Sequence, residues 1–282
     1  MSRYGTRTFF AVPHRRHLSD SPVLPPPFRI RNRRVTDLDR AEFEKELADL
    51  VSGHVQNGVK QPLPQGVRSA EWSPSRSRGD CATGEIGPRG ELRVLLADMS
   101  GSGLARKLAS LPVLRAFHLE ARGAPDCMAL AGSLNRAVRR DLPPGFFARS
   151  VLIELELDRR HLRVLNCGLP VAWLLEAPGA PARGDWRRFP ANHPPLGVMS
   201  EGEFSTSCYQ AEWEEGQLLV ACTDGIPGAE ALEDARFGEA ALRRSLLDRR
   251  HERDVAGAVL KDVLEFCWPR LPSDDLTIVV VE

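Results

Sequence analysis

The sequence predicts an α+β domain. Strand-like runs gather in groups, and helical patterns enter in pairs, at 104–140 and again at 239–266, instead of alternating one for one. Apolar runs also meet aspartates at their ends: Leu92–Ala97 runs into Asp98, Leu218–Cys222 into Thr223-Asp224-Gly225, and Asp274-Asp275 lead into Leu276–Val281. With 282 residues, 42% of them hydrophobic, there is ample material for a core.

Residues 1–36 mix Arg, Pro, Ser and His around Pro25-Pro26-Pro27 with no hydrophobic period, the signature of a flexible arm. They carry eight Arg and one Asp, which leaves the rest of this formally neutral chain at −7. Thr36 and Asp39 resemble a capping pair, and Phe43, Leu47, Leu50 and Val51 then fall on one face until Gly53, so a short amphipathic helix is expected. Its stripe is expected to dock on the domain, or else to pair with a second copy as a homodimer or with a regulator. Pro62, Pro64 and Gly66 complete a helix-and-linker segment over 37–66.

The body, 67–282, opens with a strand at Val67–Trp72, a loop carrying Gly79-Asp80, and the strand that ends at Asp98. Helical patterns follow at Leu104–Glu120, interrupted by Pro112, and at Asp126–Arg140, closed by Pro143-Pro144-Gly145. Three β-like runs, Ser150–Leu157, Leu162–Asn166 and Val171–Leu175, are close enough to be antiparallel neighbours. A Pro- and Gly-rich loop then leads to a strand at Gln217–Asp224, helices near Glu239–Asp248 and Asp254–Phe266, and a last strand at Leu276–Val281.

Several function classes are disfavoured. Six scattered cysteines include no Cys-x-x-Cys pair or zinc spacing, and they suit a reducing cytoplasm. No apolar stretch approaches the roughly 18 residues that span a bilayer, and no hydrophobic signal region follows the N-terminal arginines. The expected location is cytoplasmic, without membrane contact. The Arg-rich arm carries no recognisable nucleic-acid-binding module, so it reads as a solvated tail and not as a nucleic-acid site. Ser100 and Ser102 lie in a Gly-Ser-Gly setting without a partnered His, which favours a turn over a nucleophile.

The acids carry the chemistry. Mg²⁺ and Mn²⁺ prefer oxygen ligands, so aspartates converging from strand ends suit them and not zinc. Two such ions about 3.5–4 Å apart can activate water and clamp a phosphoryl group, which points to phosphoester hydrolysis.

The ordered set Gly79-Asp80, Asp98-Met99-Ser100-Gly101-Ser102-Gly103, Asn166-Cys167-Gly168-Leu169-Pro170, Leu196-Gly197, Thr223-Asp224-Gly225 and Asp274-Asp275-Leu276-Thr277 resembles the metal-dependent serine/threonine phosphatases of type 2C (PPM). Within them it is most similar to the bacterial sporulation-protein-E-like branch that regulates alternative sigma factors. The resemblance implies a four-layer αββα sandwich of two antiparallel sheets flanked by helix pairs, with two divalent cations, Mn²⁺ or Mg²⁺, at one end. It implies that Asp98 bridges both ions, that the Met99 carbonyl ligates one, that Asp224 and Asp274 hold the other, and that Asp80 supports the first, with Asp275 solvated or further out. Asp98 and Asp224 would position a metal-bridging hydroxide, with no side-chain nucleophile. The implied substrate is phosphoserine or phosphothreonine on a regulatory protein such as an anti-sigma-factor antagonist. Two positions depart from the family: Thr83 stands where a second acid is usual, and Leu169 where a histidine is usual. Thr83 motivates the alternative, a catalytically weak phosphatase-like module that sequesters a regulatory partner.

Overall fold

The computed structural model describes residues 63–74, 79–178, 186–204 and 207–282. The expected arm and amphipathic helix, within 1–62, lie outside the described residues.

Among the described residues, ten strands form two five-stranded antiparallel sheets. The first contains β2 (Asp80–Ile86), β3 (Leu92–Met99), β4 (Ala148–Glu156), β5 (His161–Cys167) and β8 (Tyr209–Glu212), in that order. The second runs β1 (Val67–Trp72), β10 (Leu276–Val281), β9 (Leu218–Cys222), β6 (Ala172–Leu175) and β7 (Arg187–Phe189).

Side-chain alternation builds the layers, since successive residues of a strand face opposite sides of its sheet. Val94 and Leu96 of β3, Val151 and Ile153 of β4, and Leu219, Ala221, Val279 and Val281 of β9 and β10 share one core between the sheets. The alternate residues Leu95, Ala97, Met99 and Leu152 meet Val113, Phe117, Leu130 and Leu134 from helices α1 (Gly103–Glu120) and α2 (Cys127–Asp141). On the other side, Val220, Cys222, Ile278 and Val280 meet Leu246, Val259 and Val263. These come from α4 (Gly238–Arg249) and α5 (Val255–Cys267), which follow α3, a single turn at Gly225–Gly228. The four layers expected from the resemblance are therefore present.

Four expectations change. The stretch read as a loop at Gly79-Asp80 opens strand β2, in which two of the helix-facing residues, Thr83 and Glu85, are polar. Thr83 meets His118 Nε2 at 3.1 Å, and Glu85 pairs with His118 Nδ1 at 2.7 Å and Arg122 Nε at 3.0 Å, so apolar alternation is missing where the strand is buried. The helix runs unbroken through Pro112. A proline there costs about 3 kcal/mol, and burial of Ala109, Val113, Ala116 and Phe117 along the same face offsets it. The run at 171–175 does not pair with β5. The turn after β5 carries the chain to the other sheet, where β6 joins β9 and β7. Asn166 holds that turn, accepting from Leu169 N at 3.0 Å and donating to Pro170 O at 3.0 Å, while Leu169 itself is buried in the core between the sheets. Finally, β7 and β8 lie where only loop was read.

One buried ion network ties the first sheet to its helices. Fully buried Arg93 donates from Nε to Glu154 at 2.9 Å and from Nη1 to the Ala121 carbonyl at 2.6 Å, and its Nη2 lies 2.7 Å from Glu91. Removing one member of such a network leaves buried charge without its partner, at a cost of about 3–5 kcal/mol. We therefore expect Arg93→Ala to lose that much stability in urea unfolding; a change under about 0.5 kcal/mol would contradict the role assigned to the network.

Candidate metal centre

Strand register assembles the site. Asp80 of β2 stands directly across from Asp98 of β3, and Asp98 directly across from Arg149 of β4. All three occupy the parity that faces the second sheet, at the end of the inter-sheet core. From that second sheet, β9 ends in Thr223 and Asp224, and β10 is entered through Asp274 and Asp275. Thr223 N donates to the Thr277 carbonyl at 2.9 Å, and Thr277 N donates to Thr223 Oγ1 at 3.2 Å, so the two ends are locked side by side. The Thr223 hydroxyl then reaches across the core and donates to Asp80 Oδ2 at 2.8 Å.

Two arginines join the acids. Arg106, in the first turn of α1, places one nitrogen, Nη2, 3.2 Å from Asp80 Oδ1, 3.1 Å from Asp98 Oδ1 and 3.1 Å from Asp275 Oδ2. Its Nη1 lies 3.2 Å from Asp274 Oδ1. Arg149 bridges Asp98 and Asp224, one nitrogen to each. Asp275 also accepts from Gly79 N at 2.9 Å and from the Ser73 hydroxyl.

Burial divides the acids. Asp80, Asp98 and Asp275 are enclosed, whereas the side chains of Asp224 and Asp274 are 42% and 50% exposed and form the rim. Of the two alternatives expected for Asp275, solvated or further out, burial excludes the first: its backbone continues into β10, which turns the carboxylate inward to Gly79 and Arg106. Burial pushes the Asp80 carboxyl up to about 7, reinforced by the charges of Asp98 and Asp275 and opposed by the Thr223 hydroxyl. Burial raises Asp98 as well, against the pull of Arg149 and Arg106. For Arg106, burial works against the charged form, but the surrounding carboxylates, Asp98 foremost, outweigh it and hold the guanidinium firmly protonated.

The donor set fits a hard cation. It consists of carboxylate oxygens, it is short of positive charge with five acids against two guanidinium groups, and three of the oxygens already converge on one cationic atom. Among the described residues no group of three or more Asp, Glu, His or Cys side chains stands at ligand spacing for a metal ion; the acids here meet through the Arg106 guanidinium. The Met99 side chain turns into the helix-side core, so its main chain is the part next to the cluster. Thr83 lies on the face of β2 opposite Asp80 and Ala82, directed to His118 and away from the cluster. The Ser100 hydroxyl accepts from Phe147 N at 2.8 Å, extending the β3–β4 pairing one residue beyond Met99 and Ala148.

Sequence reasoning missed both arginines. Arg149 had a signal: with Val151, Ile153 and Leu155 facing the other sheet, residue 149 must share their side at the end that holds Asp98. Arg106 had none, because a basic residue early in a helix usually reads as solvated.

Residues 88–282 match the sequence profile of the family described as Stage II sporulation protein E (SpoIIE). No curated protein matches the sequence. Among solved structures, the chain is similar to the SiaA-PP2C domain of Pseudomonas aeruginosa, with a TM-score of 0.68 at 14% identity over 88% of this chain and 99% of that one. It is similar to the PP2C phosphatase domain, with a fragment of the regulatory domain, of SpoIIE from Bacillus subtilis, with a TM-score of 0.63 at 16% identity over 78% and 64% of the two chains. RsbX in complex with magnesium gives a TM-score of 0.55 at 16% identity, over 78% of this chain and 96% of that one.

The glycine after Asp224 tests how tightly the two strand ends are packed. A Cβ on Gly225 would fall 2.0 Å from the Asp275 carbonyl oxygen, a backbone atom with little room to yield. Elsewhere in a helical turn, Gly to Ala gains about 0.5–1 kcal/mol. Here overpacking at about 1–3 kcal/mol wins, so Gly225→Ala should lower stability in thermal or urea unfolding, and an increase in stability would contradict the packing described.

Proposed function

Because the chain belongs to the SpoIIE family, we propose that it is a protein serine/threonine phosphatase dependent on two divalent cations, Mn²⁺ or Mg²⁺, and acting on a phosphorylated regulatory protein. The fold is that of PP2C phosphatase domains. The observation that carries the metal-dependent reading is the convergence of Asp80, Asp98 and Asp275 on a single cationic nitrogen at 3.1–3.2 Å.

Asp98 is the natural shared ligand, since one of its oxygens faces Asp80 and Asp275 through Arg106 and the other faces Asp224 through Arg149. Asp80, Asp275 and the Met99 main chain would complete the inner position, and Asp224 and Asp274 the outer one. When bound, such ions neutralise the phosphoryl group and acidify water for in-line attack. The protein orients the carboxylates: Thr223 fixes Asp80, while Ser73 and Gly79 fix Asp275. The exposed rim leaves room for a phosphorylated side chain presented by another protein. Arg149, with a side chain 32% exposed, adds positive charge beside that rim. A small regulatory protein of the anti-sigma-factor antagonist type is the substrate class we favour, on the family resemblance of the ordered motifs.

A second reading, the weak phosphatase-like module that sequesters a partner, finds its support in the same arginines, because the acids are partly neutralised without any added ion. Hydrolysis separates the two. Release of phosphate from p-nitrophenyl phosphate or a phosphoserine peptide should require Mn²⁺ or Mg²⁺. Asp98→Asn and Asp224→Asn should each lower it by about 100-fold or more, at least as much as disturbing a metal's supporting residues does. Full activity in both variants, or activity indifferent to chelation, would reject the phosphatase mechanism.

A further inference from the structure

Arg106 differs from an ordinary ion-pair partner in how many acids it serves and from where. One nitrogen gathers carboxylate oxygens from β2, from β3 and from the segment entering β10, while its neighbour takes a fourth acid. Arg149 has no such point of convergence, because each of its nitrogens takes one oxygen. The Arg106 side chain is held almost entirely by these acids: its Nε is buried with no hydrogen-bond partner. It also needs a cleared path, since a Cβ at Gly79 would fall 2.0 Å from Nε.

The same features make the side chain displaceable. It is 17% exposed, so the rim is within reach of the guanidinium, and α1 is entered through Gly101 and Gly103, both at positive φ. A divalent ion holds carboxylate oxygens at about 2.0–2.1 Å, against 3.1–3.2 Å to Arg106 Nη2. Both cations cannot hold the same three oxygens: the ion would draw them inward onto the point where the nitrogen stands, and two like charges there would repel strongly in a partly buried setting.

We propose that Arg106 is an internal countercation that competes with a divalent metal ion for Asp80, Asp98 and Asp275, so that loading the inner position requires its guanidinium to swing out to the rim. The inference rests on the metal-dependent reading above. Arg106 thereby sets the ion concentration at which the centre fills, and stabilises the acid cluster when no ion is bound.

Calorimetry of the full chain with Mn²⁺ alone provides the test. Arg106→Ala should bind Mn²⁺ about tenfold or more tightly than wild type, with Arg106→Lys between them, and its melting temperature should rise more on saturation with Mn²⁺. Equal or weaker binding by Arg106→Ala overturns the competition while leaving the metal-dependent reading intact. Absence of Mn²⁺ binding in wild type and both variants overturns the two together. Should Arg106→Ala fail to fold without ions, wild-type protein labelled with ¹⁵N-arginine and titrated with Mg²⁺ reads the same event. The Arg106 Nε–H signal should shift and begin fast exchange with solvent, and an unchanged signal would overturn the proposal.

Discussion

Mutual repulsion of the aspartates at one end of the sandwich is the constraint on which the rest of the site depends. Carboxylates so close in a partly buried setting each raise the energy of the others' charged forms. Burial first, and then the charges of Asp98 and Asp275, push the Asp80 carboxyl up to about 7. The structure resolves the repulsion by supplying cations, two arginines from the chain itself, and by aiming hydroxyl and backbone donors from Thr223, Ser73 and Gly79 at the carboxylates. On the proposed reading, a divalent ion would meet the deficit of positive charge that remains.

The sandwich makes this arrangement affordable by fixing backbone positions independently of the charges. β3 and β4 are buried on both faces, with apolar residues toward the helices and toward the second sheet. The register that carries Asp98 between Asp80 and Arg149 is thus enforced by the whole hydrophobic pattern of the sheet, since a slip of one residue would turn every side chain to the wrong core. Thr223 and Thr277 do the same for the second sheet through their paired bonds.

Much of this was legible in the chain. The apolar runs before Asp98 and Asp224 and after Asp275 mark central strands, and the paired helices follow from their spacing and stops. What stayed hidden has physical causes. β2 was obscured because two of its helix-facing side chains, Thr83 and Glu85, are satisfied by His118 of α1 and by Arg122 of the turn after it, more than 30 residues away. The continuity of α1 through Pro112 depends on tertiary burial that outweighs a local penalty. The crossing of the chain from β5 to β6 depends on Asn166, whose three bonds to the turn and to Phe189 are invisible to periodicity. The preference for Asp274 over Asp275 followed motif spacing, whereas burial brings Asp275 closer to the centre of the cluster. Arg106 became meaningful only when three strands met around it.

The central claim, that these acids form one centre for hard cations, is tested most directly by anomalous diffraction from crystals grown with Mn²⁺. The account predicts anomalous density at about 2.0–2.5 Å from carboxylate oxygens of Asp98 together with those of Asp80, Asp275 or Asp224, and an Arg106 guanidinium moved away from that point. Saturating Mn²⁺ with no density there, and Arg106 Nη2 still between Asp80, Asp98 and Asp275, would contradict it.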